Sequence, residues 1–350
     1  MILLNPGPVN VSARVRRAAA MEPICHREPE YFDLQDDVRA RLLKLFKLKR
    51  EFSAVLIAGS GTSAVETMIL GAVPKGGRLL VVNNGVYGER ILKMAATAGI
   101  AADDVTFPWG IPADPSAVAM KAKGAAAIAV VHHETTTGQL NPVREIAAVA
   151  RAAGARILVD AVSSLAGDPI DVAEFDFVAG TAGKSLQGLP GVSFIFARRE
   201  LLMDAPRRSV YLDLAELSNK QDARNTPFTP AVPIMSAFRE ALREAEEETL
   251  KGRLARIAKT AAFLRAGYEA MGLQCWLSHM QRSNTLTTLR LPAGRSYASV
   301  HDALKKKGFV IYAGQGSLEK ESFRIANMGI IPAAAQKRLL KVLGEWTEAR

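Results

Sequence analysis

Cysteine, aromatic side chains and long apolar runs are all scarce in this chain. Two cysteines among 350 residues, Cys25 and Cys275, are too few for a disulfide framework, and neither sits in a CxxC pair or beside histidines at metal-ligand spacing. Free thiols and no metal site are therefore expected. The longest apolar runs are of strand length or broken by charge, which excludes a membrane-spanning helix. The start, Met1-Ile2-Leu3-Leu4-Asn5-Pro6-Gly7-Pro8, has no basic leader and no cleavage site, so a cytoplasmic protein without membrane attachment is the expectation. Aromatic residues make up only 6% of the chain, and that scarcity weighs against nucleic-acid binding despite a net charge of +10. The basic residues are spread over helical stretches (Arg39, Arg41, Lys44, Lys47, Lys49, Arg50; Lys305, Lys306, Lys307) with little aromatic interleaving. Such a surface favours small anionic substrates instead.

A hydrophobic content of 49% is ample for buried cores. An extended arm with two prolines (Leu3 to Pro8) precedes a short helix from Ser12 to Ala20, and Phe32, Leu34, Val38, Leu42, Leu45 and Phe46 mark one amphipathic helix from Tyr31 to Leu48. Strands and helices then alternate. Strands are read at Ala54–Ala58, Arg78–Val82, Asp104–Phe107, Ala125–Val131, Ile157–Asp160, Phe175–Ala179 and Gly191–Ala197, with helices near Thr62–Ala72, Gly88–Ala98, Asp114–Lys123 and Pro142–Ala153. This order predicts an α/β fold with a mainly parallel seven-stranded sheet flanked by helices. Leu212 to Pro233 reads as a long polar loop, long enough to reach a partner subunit. Two charged helices follow (Ile234–Thr249, Gly252–Met271), then a smaller α+β unit: strand Thr285–Leu291, helix Tyr297–Lys307, strands Phe309–Tyr312 and Ser322–Ala326, helix Pro332–Glu348. The expected organisation is an arm over 1–14 packing with the small domain, a large domain over 15–250 and a small domain over 251–350.

The apolar strand Ile157-Leu158-Val159 ends on Asp160, and Lys184 follows the next strand in the small-residue run Gly180-Thr181-Ala182-Gly183. Neighbouring parallel strands present their carboxyl ends to one crevice, so the carboxylate and the amine are expected to face one small molecule. That pair suits pyridoxal phosphate: the lysine holds the cofactor and the aspartate keeps its ring nitrogen protonated. Gly59-Ser60-Gly61-Thr62 joins a strand to a helix start, where N–H groups and hydroxyls can receive a phosphate. Tyr87 follows the next strand and can stack on a flat ring. His132-His133-Glu134-Thr135-Thr136-Thr137-Gly138 leaves another strand end; adjacent histidines there point to opposite faces, which argues against a zinc pair, and Thr135 or Thr136 can bond a ring hydroxyl. Arg324, between apolar neighbours in a strand, suits a carboxylate or phosphonate. Taken singly, a core tyrosine, a capping aspartate, a surface lysine or a structural ion pair accounts for each; their order at successive strand ends does not.

These residues resemble the class-V aminotransferases of the fold-type I pyridoxal-phosphate superfamily, and within them the branch acting on 2-aminoethylphosphonate and pyruvate. The resemblance runs nearly the whole chain through LLNPGPVNVS, CHREPEY, GSGTSAVE, NNGVYGER, HHETTTGQLNP, LVDAVSS, GKSLQGLPG and FRIANMG. It implies that Lys184 carries the cofactor and Asp160 pairs with the ring nitrogen. Ser60, Gly61 and Thr62 would bind the phosphate, Tyr87 would stack on the ring, and Thr136 and Ser163 would lie beside it. Thr229 would complete the phosphate site from the other subunit of a homodimer, and Arg324 would bind the substrate carboxylate. Arg324 and Arg27 are the candidate cations for a phosphonate. Asn5 stands where threonine is common in the branch, and Ala313 and Gln315 where proline and lysine are usual. The implied reaction passes the amino group of 2-aminoethylphosphonate to pyruvate, yielding phosphonoacetaldehyde and L-alanine. The rival within the fold is an alanine or serine aminotransferase using glyoxylate or pyruvate; a cysteine desulfurase would need a mobile-loop cysteine that Cys275 does not supply.

Overall fold

Seven strands build the centre of the molecule: β1 (Phe52–Gly59), β2 (Leu79–Asn83), β3 (Ala102–Thr106), β4 (Ala127–Val131), β5 (Arg156–Asp160), β6 (Phe177–Thr181) and β7 (Gly191–Arg198). In this computed structural model, which describes residues 1–278 and 282–348, they lie in the order β1-β7-β6-β5-β4-β2-β3. Strand β7 runs antiparallel to β1 and β6, and the remaining pairs are parallel. Inner strands such as β2 and β4 read as unbroken apolar runs because helices cover both faces. The two-residue side-chain period shows in the packing. Leu80, Val82, Ile128 and Val130 join one core with Val38 and Leu42, while Leu79, Val81, Ala127 and Ala129 join the other with Met68, Ile69 and Ile91.

The C-terminal residues build a second, antiparallel sheet of β8 (Leu286–Arg290), β9 (Tyr312–Ala313) and β10 (Ser322–Ala326), with β10 in the middle. Helices Tyr297–Lys306 and Ala333–Glu348 and the end of the 21-residue helix Leu250–Ala270 close its core around Tyr268, Leu289, Phe323, Leu339 and Trp346. The N-terminal arm belongs to this core physically: Ile2–Leu3 pairs in parallel with Phe309–Val310, and Leu4 is fully buried there. Cys25 is exposed and Cys275 half-buried, both as free thiols. Among the described residues no helix is long and apolar enough to cross a membrane, and no group of three or more His, Cys, Asp or Glu side chains is placed to hold a metal ion.

Two expectations need correction. The segment 212–233 is not all loop, because Leu214–Asp222 is a helix capped by Asp213, whose carboxylate accepts from the Glu216 N–H. Its buried stripe, Leu214, Leu217, Ser218 and Gln221, has helical spacing but is half polar, so hydrophobic periodicity is muted. Gln221 is buried because its amide bonds the Leu56 backbone through both its oxygen and its nitrogen. The strand expected over 309–312 is two pieces in different sheets, Phe309–Val310 on the arm and Tyr312–Ala313 on β10, with the buried Ile311 at the change.

Candidate active site

The carboxyl ends of β1, β2, β4, β5 and β6 open on one cavity, lined among others by Thr62, Tyr87, Asp160, Ser163 and Lys184. Asp160 is the last residue of β5, and Oδ1 accepts the Val162 N–H at 3.0 Å, while Oδ2 makes no hydrogen bond among the described residues. Burial pushes its pKa up to about 6, against the pull of that N–H, Arg90 and Lys184. Lys184 lies half-buried in the same cavity, and desolvation brings its pKa down to about 8, opposed by Asp160 and assisted by Arg324. Its ammonium donates to the Pro6 carbonyl. The arm lies so close that a Cβ on Gly7, which has φ of +124°, would fall 2.8 Å from Lys184 Nζ.

Helix Gly61–Ala72 starts at the cavity, with Ser60 as its N-cap. The exposed Ser60 hydroxyl does not cap its own helix, which leaves it and the first N–H groups facing outward. The backbone of Gly61 passes so near Val162 that a Cβ there would lie 2.5 Å from Cγ1. Arg90 donates to Thr62 Oγ1 at 3.3 Å, and its guanidinium stands 4.8 Å from the centre of the Tyr87 ring. Arg90 lies one helical turn after Tyr87, so both reach the same side.

Glu134, fully buried, joins the start of the Tyr87 helix to the Thr135–Thr136 turn. Oε2 accepts the Tyr87 N–H at 3.1 Å, and Oε1 accepts the Thr136 hydroxyl at 2.5 Å and the Thr136 N–H at 3.1 Å. Burial pushes its pKa up to about 7 in spite of these donors. Arg324, 6% exposed, donates from Nη1 to the Thr135 carbonyl and Gln315 Oε1, both at 3.0 Å, and from Nε to the Ala313 carbonyl at 2.9 Å. Its Nη2 makes no hydrogen bond among the described residues. The contact between Glu134 and the start of the Tyr87 helix depends on Gly85, where a Cβ would fall 2.3 Å from Glu134 Cδ. Gly85→Ala is accordingly expected to cost about 1–3 kcal/mol of stability by overpacking. An unchanged urea midpoint would contradict that contact.

Of the residues singled out in the sequence, Gly61, Thr62, Tyr87, Asp160, Ser163 and Lys184 line this cavity, and Ser60 stands just before the first turn of the adjoining helix with its hydroxyl uncommitted to that helix. Ser163 also bonds the His133 carbonyl through its hydroxyl at 2.9 Å. Thr136 is not among the lining residues: its hydroxyl is turned onto Glu134, and Thr135 faces the cavity instead. Thr229 lines a separate depression with Tyr31, Tyr211 and Phe228. Arg27 donates to Asn225 Oδ1 and the Thr226 carbonyl, both at 2.6 Å, in a basic depression with Arg207, Arg208 and Lys220. Sequence reasoning gave Arg90 and Glu134 no role and weighed His133 only as half of a zinc pair; Arg90 had a signal in its spacing from Tyr87, and Glu134 as a lone carboxylate just past a buried strand.

Residues 17–329 match the model of the family described as aminotransferase class-V. The chain is 37% identical to a 2-aminoethylphosphonate–pyruvate transaminase of Syntrophobacter fumaroxidans, over 97% of this chain and 94% of the relative. It is 35% identical to a protein of the same name from Vibrio vulnificus, over 97% and 95%. Among solved structures it is similar to an aspartate aminotransferase of subgroup IV from Thermus thermophilus, with TM-score 0.92, 28% identity and 99% of both chains covered. An alanine–glyoxylate aminotransferase from Nostoc sp. gives TM-score 0.93 at 27% identity, covering 99% of this chain and 94% of that one. Agreement of this length, on a fold whose strand ends bring an amine and a carboxylate to one cavity, has one reading: the chain belongs to the class-V aminotransferases and works with pyridoxal phosphate.

Proposed function

We propose that this enzyme transfers the amino group of 2-aminoethylphosphonate to pyruvate, giving phosphonoacetaldehyde and L-alanine. The observation that carries this reading is the likeness, through 97% of the chain, to relatives named for that reaction. The residues at the cavity fit the cofactor. Asp160 Oδ2 lacks a partner among the described residues and suits a protonated ring nitrogen, the Tyr87 ring offers a stacking face, and the uncapped start of helix Gly61–Ala72 with Ser60 and Thr62 suits a phosphate. When bound, pyridoxal phosphate supplies an electron sink for the carbon that carries the donor's nitrogen.

The protein's own part follows from its side chains. Lys184 would hold the cofactor and would serve as the base toward the donor's carbon, an amine whose pKa burial brings down to about 8 being available as a base near neutral pH. Asp160 would keep positive charge on the ring nitrogen, and Ser163 would stand beside the ring. Arg324 receives the carboxylate of pyruvate through its uncommitted Nη2. Arg324→Lys is expected to raise KM for pyruvate by about 10–100-fold, the loss of a charged hydrogen bond of about 1.5–3 kcal/mol, with a smaller change in kcat. Equal losses in kcat and kcat/KM with KM unmoved would contradict a ground-state role.

A homodimer belongs to this reading. Thr229 and Arg27 lie in adjoining depressions that share Thr226, Pro227 and Phe228, away from Lys184, beside the exposed Val210 and Tyr211. In a dimer, Thr229 of a second copy completes the phosphate site, and Arg27 joins Arg324 as a cation for phosphonate. The likeness to the Nostoc alanine–glyoxylate enzyme favours the second reading, an alanine or serine donor with glyoxylate or pyruvate as acceptor. Turnover of each amino donor decides, with pyruvate as acceptor for 2-aminoethylphosphonate and L-serine and glyoxylate as acceptor for L-alanine, since L-alanine with pyruvate only regenerates the same pair: the proposal expects 2-aminoethylphosphonate to exceed L-alanine and L-serine in kcat/KM by orders of magnitude. Preference for the amino acids would move the enzyme to the second reading.

A further inference from the structure

His133 lines the cavity beside Lys184 and Asp160, yet no role has fallen to it. Its ring is 1% exposed, and Nε2 is buried without a hydrogen-bond partner among the described residues. The other nitrogen, Nδ1, lies 3.2 Å from Thr285 Oγ1 and 3.4 Å from the Ser163 carbonyl. Behind Thr285 the contacts continue. Thr285 Oγ1 is 2.8 Å from Ser283 Oγ, and Ser283 Oγ donates to Asp168 Oδ2 at 2.5 Å. Asp168, Ser283 and Thr285 are each no more than 1% exposed. Gly167 permits the approach, since a Cβ there would fall 2.2 Å from Thr285 Cγ2.

The chemistry of this chain of contacts gives it a direction. A carboxylate only accepts, so the single hydroxyl hydrogen of Ser283 is committed to Asp168. The Ser283 oxygen then accepts from Thr285, whose own oxygen is left to accept from His133 Nδ1. The Ser163 carbonyl, also acceptor-only, makes the same demand on Nδ1 independently. Burial pushes the pKa of His133 down to about 3, so the neutral ring carries one hydrogen. That hydrogen is on Nδ1, and Nε2 is bare.

We propose that His133 is a hydrogen-bond acceptor of the active site: its bare Nε2, held in that tautomer by Asp168, Ser283 and Thr285 as positioning residues, receives an N–H or O–H of the molecule beside Lys184 and Asp160. The tautomer is a property of the protein alone. Only the identity of what meets Nε2 rests on the proposed function, so the two can fail separately.

The test is ring-nitrogen NMR of the full-length protein labelled with 15N-histidine at pH 8, where Asp168, its pKa pushed up to about 6 by burial, is ionised. His133→Gln identifies the resonances among the five histidines. Protonated Nδ1 and bare Nε2 are expected. In Asp168→Asn, the Asn284 N–H still requires the oxygen it now holds at 2.7 Å, so the new amide NH2 faces Ser283 and reverses both hydroxyls. The hydrogen then moves to Nε2, and adding Thr285→Val to that variant returns it to Nδ1 on the Ser163 carbonyl. Ser283→Ala, which carries no charge change, weakens the preference should Asp168→Asn not fold. Protonated Nε2 in the native protein, or an unmoved tautomer in folded Asp168→Asn, would overturn the relay. In the second arm, a shift of the Nε2 resonance on adding pyridoxal phosphate assigns the donor to the cofactor, and a shift only after 2-aminoethylphosphonate assigns it to the substrate. No shift with either would remove His133 from the site.

Discussion

Replacing Lys184 by alanine is expected to lower kcat by more than about 10⁴-fold, because in the proposed function one side chain serves both as attachment point and as base. No other lysine lines the cavity among the described residues. The surrounding structure should survive the change: the amine's hydrogen bond goes to the Pro6 carbonyl of the arm, and the small residues beside Lys184 need no support from it. An intact unfolding transition with turnover at the level of contaminating activity is the expected pair of results. Near-native multiple turnover in the purified variant would contradict the assignment.

The second large effect falls on Asp160. Asp160→Asn keeps shape and the hydrogen bond from Val162 but removes the charge that faces a protonated ring nitrogen, and a loss of about 10²–10³-fold in kcat is expected for one preorganised electrostatic partner. The same variant should be more stable without cofactor. In the folded protein burial raises the Asp160 pKa from 3.8 to about 6, so its stabilising contribution is complete below pH 4 and is lost as pH rises through 6. Glu134, raised to about 7, and Asp168, raised to about 6, act with the same sign. Asparagine does not ionise, so at pH 8 the cofactor-free variant should melt above the native protein, with the gap closing below pH 4. A lower melting temperature at pH 8 would mean that Asp160 is held by a cation in the native protein already. In the proposed function, stability is given up at this position for the charge that faces the ring nitrogen.

The strands around Asp160 and Lys184 were readable because buried parallel strands leave apolar runs: β4 is apolar throughout, and β5 holds Ile157, Leu158 and Val159 between its two charged ends. Asp160 stood out as a carboxylate where such a run stops. The helix Leu214–Asp222 escaped notice because Ser218 and Gln221 sit on its buried stripe, where hydrogen bonds to backbone replace apolar packing. Arg324 was visible as an arginine inside an apolar strand, but two of its three partners, the Thr135 and Ala313 carbonyls, are backbone atoms that leave no mark in a sequence. For the same reason Thr135 and Thr136 could not be told apart: which of two adjacent threonines faces a cavity is set by the local turn and by Glu134. The chain from Asp168 to His133 joins side chains more than 100 positions apart and was out of reach of any local pattern.

The central claim is that Lys184 carries the cofactor opposite Asp160. Borohydride reduction of the protein loaded with pyridoxal phosphate, followed by peptide mass mapping, tests it directly. The phosphopyridoxyl mass is expected on the peptide containing Lys184, stoichiometric with protein, and should disappear when 2-aminoethylphosphonate is added before the reductant. Label on a different lysine, or none while the visible absorption of bound cofactor persists, would contradict it.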